Sequence, residues 1–149
     1  MPKVDLSQIE QTNRTGYPAP YDRDVAGRQY RRLAPALGLT DFGASEVMLE
    51  PGAWSSQRHW HEDEDELLVM IAGEAQLVEE SGATSLKAGD IVAWPKGVAN
   101  GHHLVNDSGA PCRFVVIGRP AASDCHYPDI DLHLDGPGQM YRRRDGSAV

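Results

Sequence analysis

Between residues 44 and 118 the sequence is a succession of short apolar runs, each ended by residues that turn the chain. Glu46-Val47-Met48-Leu49-Glu50 stops at Pro51-Gly52, the run 66–72 at Gly73-Glu74, and 75–80 at Ser81-Gly82. Residues 84–86 stop at Lys87-Ala88-Gly89-Asp90, 91–94 at Pro95-Lys96-Gly97, 102–106 at Asp107-Ser108-Gly109, and 112–117 at Gly118. Runs of this length and spacing read as strands of a sandwich or barrel. No helix-length segment separates them, which argues against a parallel α/β sheet.

The flanks lack this rhythm. Residues 1–43 read as an N-terminal arm, 44–118 as the β core and 119–149 as an irregular tail packed on it. In the arm, Tyr17-Pro18-Ala19-Pro20-Tyr21 is extended, because proline keeps the residue before it out of the helical region. Tyr30, Leu33 and Leu37 have roughly helical spacing, but Pro35 limits any helix to one turn. The arm is expected to lie along the barrel or a second subunit. In the tail, Tyr127-Pro128-Asp129-Ile130-Asp131-Leu132 should dock, and Gly136-Pro137-Gly138 is a turn. Arg142-Arg143-Arg144 reads as a solvated face or a contact with the chain's own acids.

Composition narrows the partners. The 149 residues carry 14 Lys+Arg against 22 Asp+Glu, a formal charge of -8. A chain with that deficit of cations is not built to neutralise nucleic-acid phosphates or an anionic membrane surface. Two cysteines, Cys112 and Cys125, make no disulfide framework. There is no apolar leader and no run approaching the ~18 apolar residues of a membrane span. The expectation is a cytoplasmic protein whose partner is a small molecule.

Four of the six histidines fall in two places, His59 with His61 and His102 with His103. On a strand, residues two apart share a face, so His59 and His61 can meet one ion while Trp60 faces away. Glu66 opens the following strand and can lie beside them if the two strands are antiparallel. Glu64 is the alternative in another register, while Glu62-Asp63-Glu64-Asp65 reads as an exposed acidic turn. Two imidazoles and a carboxylate on one inward face suit a divalent transition metal. These residues sit in two frames. The first is Gly52, six residues, His59-x-His61, four residues, Glu66, six residues, Gly73; the second is Gly89, five residues, Pro95-x-Gly97, four residues, His102, three residues, Asn106.

The two frames resemble the paired motifs of the cupin superfamily. The gap after Gly52 is one residue longer than the commonest form. Four residues, rather than two, precede His102, and the strict position holds Asn100. The resemblance implies an all-β fold, a double-stranded β-helix or jelly-roll barrel with one metal in its mouth. The implied ligands are His59, His61, Glu66 and His102, and the implied ion is Zn, Mn, Fe or Ni. Alternation places His102, Leu104 and Asn106 on one face and His103 with Val105 on the other. A bulge at Gly101 would exchange His102 for His103. Cupin barrels often pair through edge strands and arms, so a homodimer is expected.

A closer resemblance, carried by residues 52–61, 101–106 and Tyr127-Pro128-Asp129, is to small single-domain bacterial cupins described as sugar-phosphate isomerases. It implies an isomerase or epimerase acting on a small oxygenated metabolite. A non-catalytic binding or sensor domain and a metal-dependent dioxygenase are the alternatives. Proton transfer needs a base near the substrate carbon. His126 and Tyr127 are the catalytic candidates, on a tail folded over the barrel mouth, with Glu46 and His103 behind them. Gln57 is in phase with His59 and should line the pocket, whereas Arg58 should point away. Arg28, Arg31, Arg32 and Arg113 are candidate phosphate partners that sequence does not place.

Overall fold

The computed structural model describes residues 3–119, 123–137 and 139–149. Residues 1–2 of the arm, and 120–122 and Gly138 of the tail, lie outside the described residues. The strands are β1 (Arg28–Arg32), β2 (Gly43–Leu49), β3 (Trp60–His61), β4 (Glu66–Ala72), β5 (Glu74–Glu79) and β6 (Gly82–Lys87). They continue as β7 (Ile91–Trp94), β8 (His103–Val105), β9 (Cys112–Gly118), β10 (Cys125–His126), β11 (His133–Asp135) and β12 (Met140–Arg142). A five-stranded sheet has the order β1-β2-β9-β4-β7, a three-stranded sheet β6-β5-β8, and a small third sheet β12-β11-β10-β3. All pairings are antiparallel. The all-β fold expected from the turn-stopped runs is the one observed.

Alternation builds the core. Val47, Leu49, Leu68, Met70 and Phe114 point inward from the large sheet and meet Ala75, Leu77, Leu86 and Leu104 from the smaller one. Turns are locked by residues that only fit one way. Gly73, between β4 and β5, has φ +75, and a Cβ there would stand 2.7 Å from the Pro111 carbonyl oxygen. Asn106 is fully buried after β8. Its amide donates to the Leu49 and Ala110 carbonyls, and its oxygen accepts from the Ser108 amide and hydroxyl. The asparagine of the second motif therefore ties the β8–β9 turn to the end of β2.

The arm supplies more than a wrapping. Residues Arg28–Arg32 form β1 and pair with β2, from Arg28 opposite Leu49 to Arg32 opposite Ser45. Tyr30 is thus a strand residue. The only α-helical turn among the described residues is α1 (Leu33–Ala36), with Pro35 in its first turn, where a missing N–H costs nothing. The tail docks through a second core of Cys125, Tyr127 and Leu132 packed against Tyr17, Tyr21 and Tyr141. Arg144 donates to the carbonyls of Tyr127 and Pro128, so the basic run helps to fold the tail.

Candidate metal centre

His59, His61, Glu66 and His102 converge from separate elements. His59 and His102 pair across an isolated bridge, and His61 follows on β3. Glu66 opens β4, opposite Trp94 on one side and Gly118 on the other. His59 Nε2 and His61 Nε2 are 3.2 Å apart. Glu66 Oε2 is 3.4 Å from both His61 Nε2 and His102 Nε2. Ligand atoms of His59, Glu66 and His102 all lie within 4.8 Å of one another.

The outer nitrogens fix what the inner ones can do. His59 Nδ1 is 2.9 Å from the Gln57 carbonyl, and His102 Nδ1 is 2.9 Å from the Asn100 carbonyl. A carbonyl only accepts, so each Nδ1 carries the hydrogen and each neutral ring turns a bare Nε2 lone pair inward. Lone pairs and a carboxylate aimed at one point repel unless a cation or protons lie between them. The donor set therefore fits a divalent transition metal.

The electrostatics agree. Burial, with the neighbouring His61, depresses the His59 pKa to about 3, so that ring is neutral. Burial alone would raise the Glu66 pKa, but with protons rather than a cation between the groups, hydrogen bonds from His102 and His61 bring it well below the carboxylate range. Burial also opposes protonation of His61, yet the Glu66 hydrogen bond and the charge of Glu64 raise its pKa overall.

Two further groups adjoin the cluster: Glu64, read from sequence as the alternative to Glu66 or as part of an exposed turn, and Cys125, which sequence did not place there. Glu64 is not part of an exposed turn: its side chain is 13% exposed and Oε2 lies 3.4 Å from His61 Nδ1. Both atoms are buried without a well-formed hydrogen bond. The turn folds it inward, while Asp63 stays out and binds Lys96 and Arg119. Cys125 pairs with His61 across β10 and β3, which brings its Sγ within 4.8 Å of ligand nitrogens of His59 and His61. Burial pushes this thiol up to about 12. Two-residue strands carry no readable period, so neither placement has a sequence signal beyond parity.

The other candidates stand outside the four-residue cluster, although the Tyr127 ring comes within 5.9 Å of the His59 ring. His103 lines the inner cavity, with its ring edge-on to Trp54 and its Nδ1 donating to the Ser56 carbonyl. His126 sits opposite Trp60, stacks on it at 4.3 Å, and bonds Glu62. Alternation thus sends it to the outer face, away from the cluster. Tyr127 is buried in the tail's aromatic core, edge-on to Tyr17. Neither His126 nor Tyr127 lines the cavities beside the cluster. Gln57 has the expected parity but is drawn off by the arm, donating to the Tyr21 carbonyl and Asp24. Arg58 points away as expected and grips Asp129 and Glu80. Glu46 faces the outer side with Arg31 and Arg113.

Two cavities meet at the cluster. An inner one of about 240 Å³ is lined by His59, Glu66 and His102 at one end, by Val47, Leu68, Leu104, Phe114 and Val116 along its walls, and by Arg28, Tyr30 and Ser55 elsewhere. An outer one of about 740 Å³ is lined by His59, His61, Glu64, Glu66, Arg32, Arg119, Leu39 and Phe42. His59, Glu66, Ser45 and Val116 line both.

The comparisons with known proteins agree with this architecture. The cupin domain model matches residues 45–118. A sugar phosphate isomerase of Silicibacter pomeroyi from the cupin superfamily is 38% identical, with a TM-score of 0.93, over 99% of this chain and 96% of that one. This chain belongs to the cupin superfamily. A proposed sugar phosphate isomerase of Acidithiobacillus ferrooxidans is 26% identical over 83% and 82% of the two chains, with a TM-score of 0.74. A polyketide cyclase of Streptomyces resistomycificus, 20% identical over 92% and 89% with a TM-score of 0.69, shares the fold alone. No curated protein matches the sequence.

Proposed function

We propose that this cupin is a metal-dependent enzyme of the isomerase or epimerase type, acting on a small hydroxycarbonyl metabolite, a sugar phosphate foremost. The observation that carries the reading is the convergence of bare imidazole nitrogens and the Glu66 carboxylate where the two cavities meet. The name of the 38%-identical Silicibacter protein supports the reaction class. His59, His61, Glu66 and His102 would hold the ion. A divalent ion there polarises a carbonyl and stabilises the negative charge that develops when a neighbouring carbon is deprotonated. The chain's own part is orientation and exclusion of water. Gln57 and Asn100 hold two of the imidazoles, and the apolar walls keep the inner cavity dry around a bound substrate.

Solvent deuterium exchange tests this directly. Protein loaded in turn with Zn, Mn, Fe and Ni is incubated with a panel of sugar phosphates in deuterated water. Wash-in at a carbon beside the carbonyl, lost in His59→Ala and His102→Ala, supports the reading. Absence of exchange with every metal and every sugar phosphate overturns it.

A binding role without turnover is the second reading, favoured by the placement of His126 and Tyr127 outside the cavities. Ligand-dependent thermal stabilisation without product would distinguish it. Oxygen uptake by the ferrous protein would identify a dioxygenase instead.

The homodimer is likewise a proposal. Leu67, Ile71 and Ile91 lie on the outer face of the large sheet and are 37%, 44% and 63% exposed, an apolar patch suited to a second copy. The β7 edge beside it is open in the described chain.

A further inference from the structure

Strand register lays out the concave face of the large sheet as rows. Glu66 stands in one row with Trp94 and Gly118. Arg32, Ser45, Val116 and Leu68 form the next, then Tyr30, Val47, Phe114 and Met70, and last Arg28, Leu49 and Cys112. Among the described residues Arg28 is the one Lys or Arg that lines the inner cavity, and it does so in the row farthest from Glu66.

Its charge meets the face of the Tyr30 ring, 5.2 Å from the ring centroid, but no anion. Among the described residues no carboxylate forms an ion pair with Arg28, whereas Arg31 and Arg58 each hold one at 2.8 Å or less. Arg28 donates to the Ser55 carbonyl at 2.7 Å and reaches the Arg14 carbonyl at 3.5 Å. Those acceptors are neutral. Its Nε is buried with no partner at all. A guanidinium drawn into a barrel is costly unless an anion meets it. The chain is acidic enough to supply a carboxylate and does not.

Arg28 shares this cavity with the candidate metal ligands. Arg28 is tied to the Ser55 carbonyl, and the next residue, Ser56, places its hydroxyl 3.2 Å from His59 Nδ1. Two consecutive residues, Ser55 and Ser56, thus link the cation at one end of the cavity to the histidines at the other. Between them the walls mix apolar Val47, Leu68, Leu104 and Phe114 with polar Tyr30 and Ser45.

We propose that Arg28 is the anchor for an oxyanion, phosphate or carboxylate, at the end of the substrate distal to its metal-chelating oxygens. The inference rests on the reading of this cavity as the substrate site. It adds that the substrate is anionic at the end away from its metal-chelating oxygens. Arginine suits the task because its planar fork meets a phosphate or carboxylate with two parallel bonds.

Calorimetric titration of metal-loaded protein with inorganic phosphate, and separately with acetate, tests the anchor. Metal content is measured in each variant, so loss of the anion site is told apart from loss of the metal site. Wild type binds one of the two anions, and whichever binds more tightly identifies the end group. Arg28→Gln should keep its metal and lose affinity at least tenfold. Arg28→Lys, which keeps the charge and loses the fork, should fall between them. Arg31→Gln, on the outer face, should bind as wild type does. Equal affinity in wild type and both Arg28 variants, or no binding of either anion to wild type, overturns the proposal. Tight anion binding by a protein that takes up no metal would leave the anchor standing and remove the metal-dependent reaction.

Discussion

Trp94 lies flat on His102, with ring centroids 3.9 Å apart and planes within 5°. The stack belongs to a chain of contacts. Glu79 Oε1 accepts from Trp94 Nε1 and from Asn100 Nδ2, both at 2.9 Å, and the Asn100 carbonyl takes the His102 Nδ1 hydrogen. The longer loop before His102 is therefore put to use. Asn100, at the motif's strict position, anchors the loop to β5, and His102 takes the place beside Glu66.

Removing the tryptophan should loosen the imidazole it covers. Trp94→Ala is expected to weaken metal binding about 10- to 100-fold, the usual cost of losing an outer support to a ligand. It should also destabilise the fold by about 3 kcal/mol or more, since the ring is only 7% exposed. Trp94→Phe keeps an aromatic face and should retain most of the affinity. Competition with a chelator, read beside a thermal melt, separates the two effects.

Asn106 should matter to stability and not to metal geometry. Asn106→Ala strands the buried Leu49 carbonyl and leaves the Ser108 amide without its acceptor. The expected loss is about 3 kcal/mol. Denaturant unfolding checks this, with metal content unchanged in the folded fraction.

Gly73→Ala should be poorly tolerated. The position has φ +75 and meets the Pro111 carbonyl at 2.7 Å, so strain and steric overlap add. A fall in thermal midpoint larger than that of Gly109→Ala, where nothing lies within 4 Å, is the expected result.

The tail is tethered by an acid-sensitive clasp. The hydrogen bond from Arg58 holds the Asp129 pKa below its ordinary value, with burial opposing. A carboxyl depressed in the fold adds stability above its unfolded pKa of about 3.9, and that stability is lost as pH falls through the folded value. Wild type should therefore melt above Asp129→Asn at neutral pH, and the gap should close below about pH 4. A gap independent of pH would assign the effect to packing.

The strands that were legible in the sequence are those long enough to show alternation and punctuated by Gly, Pro or Asp. The nearness of His59, His61, Glu66 and His102 was legible from motif spacing rather than from strand period, since His59 and His102 form an isolated bridge and His61 lies on the two-residue β3. Arg28–Arg32 was not, because its inward positions are Arg28, Tyr30 and Arg32, polar-tipped residues that line cavities and mimic an exposed segment. β3, β10, β11 and β12 have two or three residues each and offer no period. Gln57 shows the remaining limit. Its parity was right, but the arm's Asp24, 33 residues earlier, decides where its amide goes.

Anomalous diffraction at the absorption edge of the bound metal, on crystals of the metal-loaded protein, tests the central claim most directly. The account predicts one peak about 2.0–2.2 Å from His59 Nε2, His61 Nε2, His102 Nε2 and a Glu66 oxygen. A peak at any other set of side chains, or no peak there in protein that carries a full equivalent of metal, would contradict it.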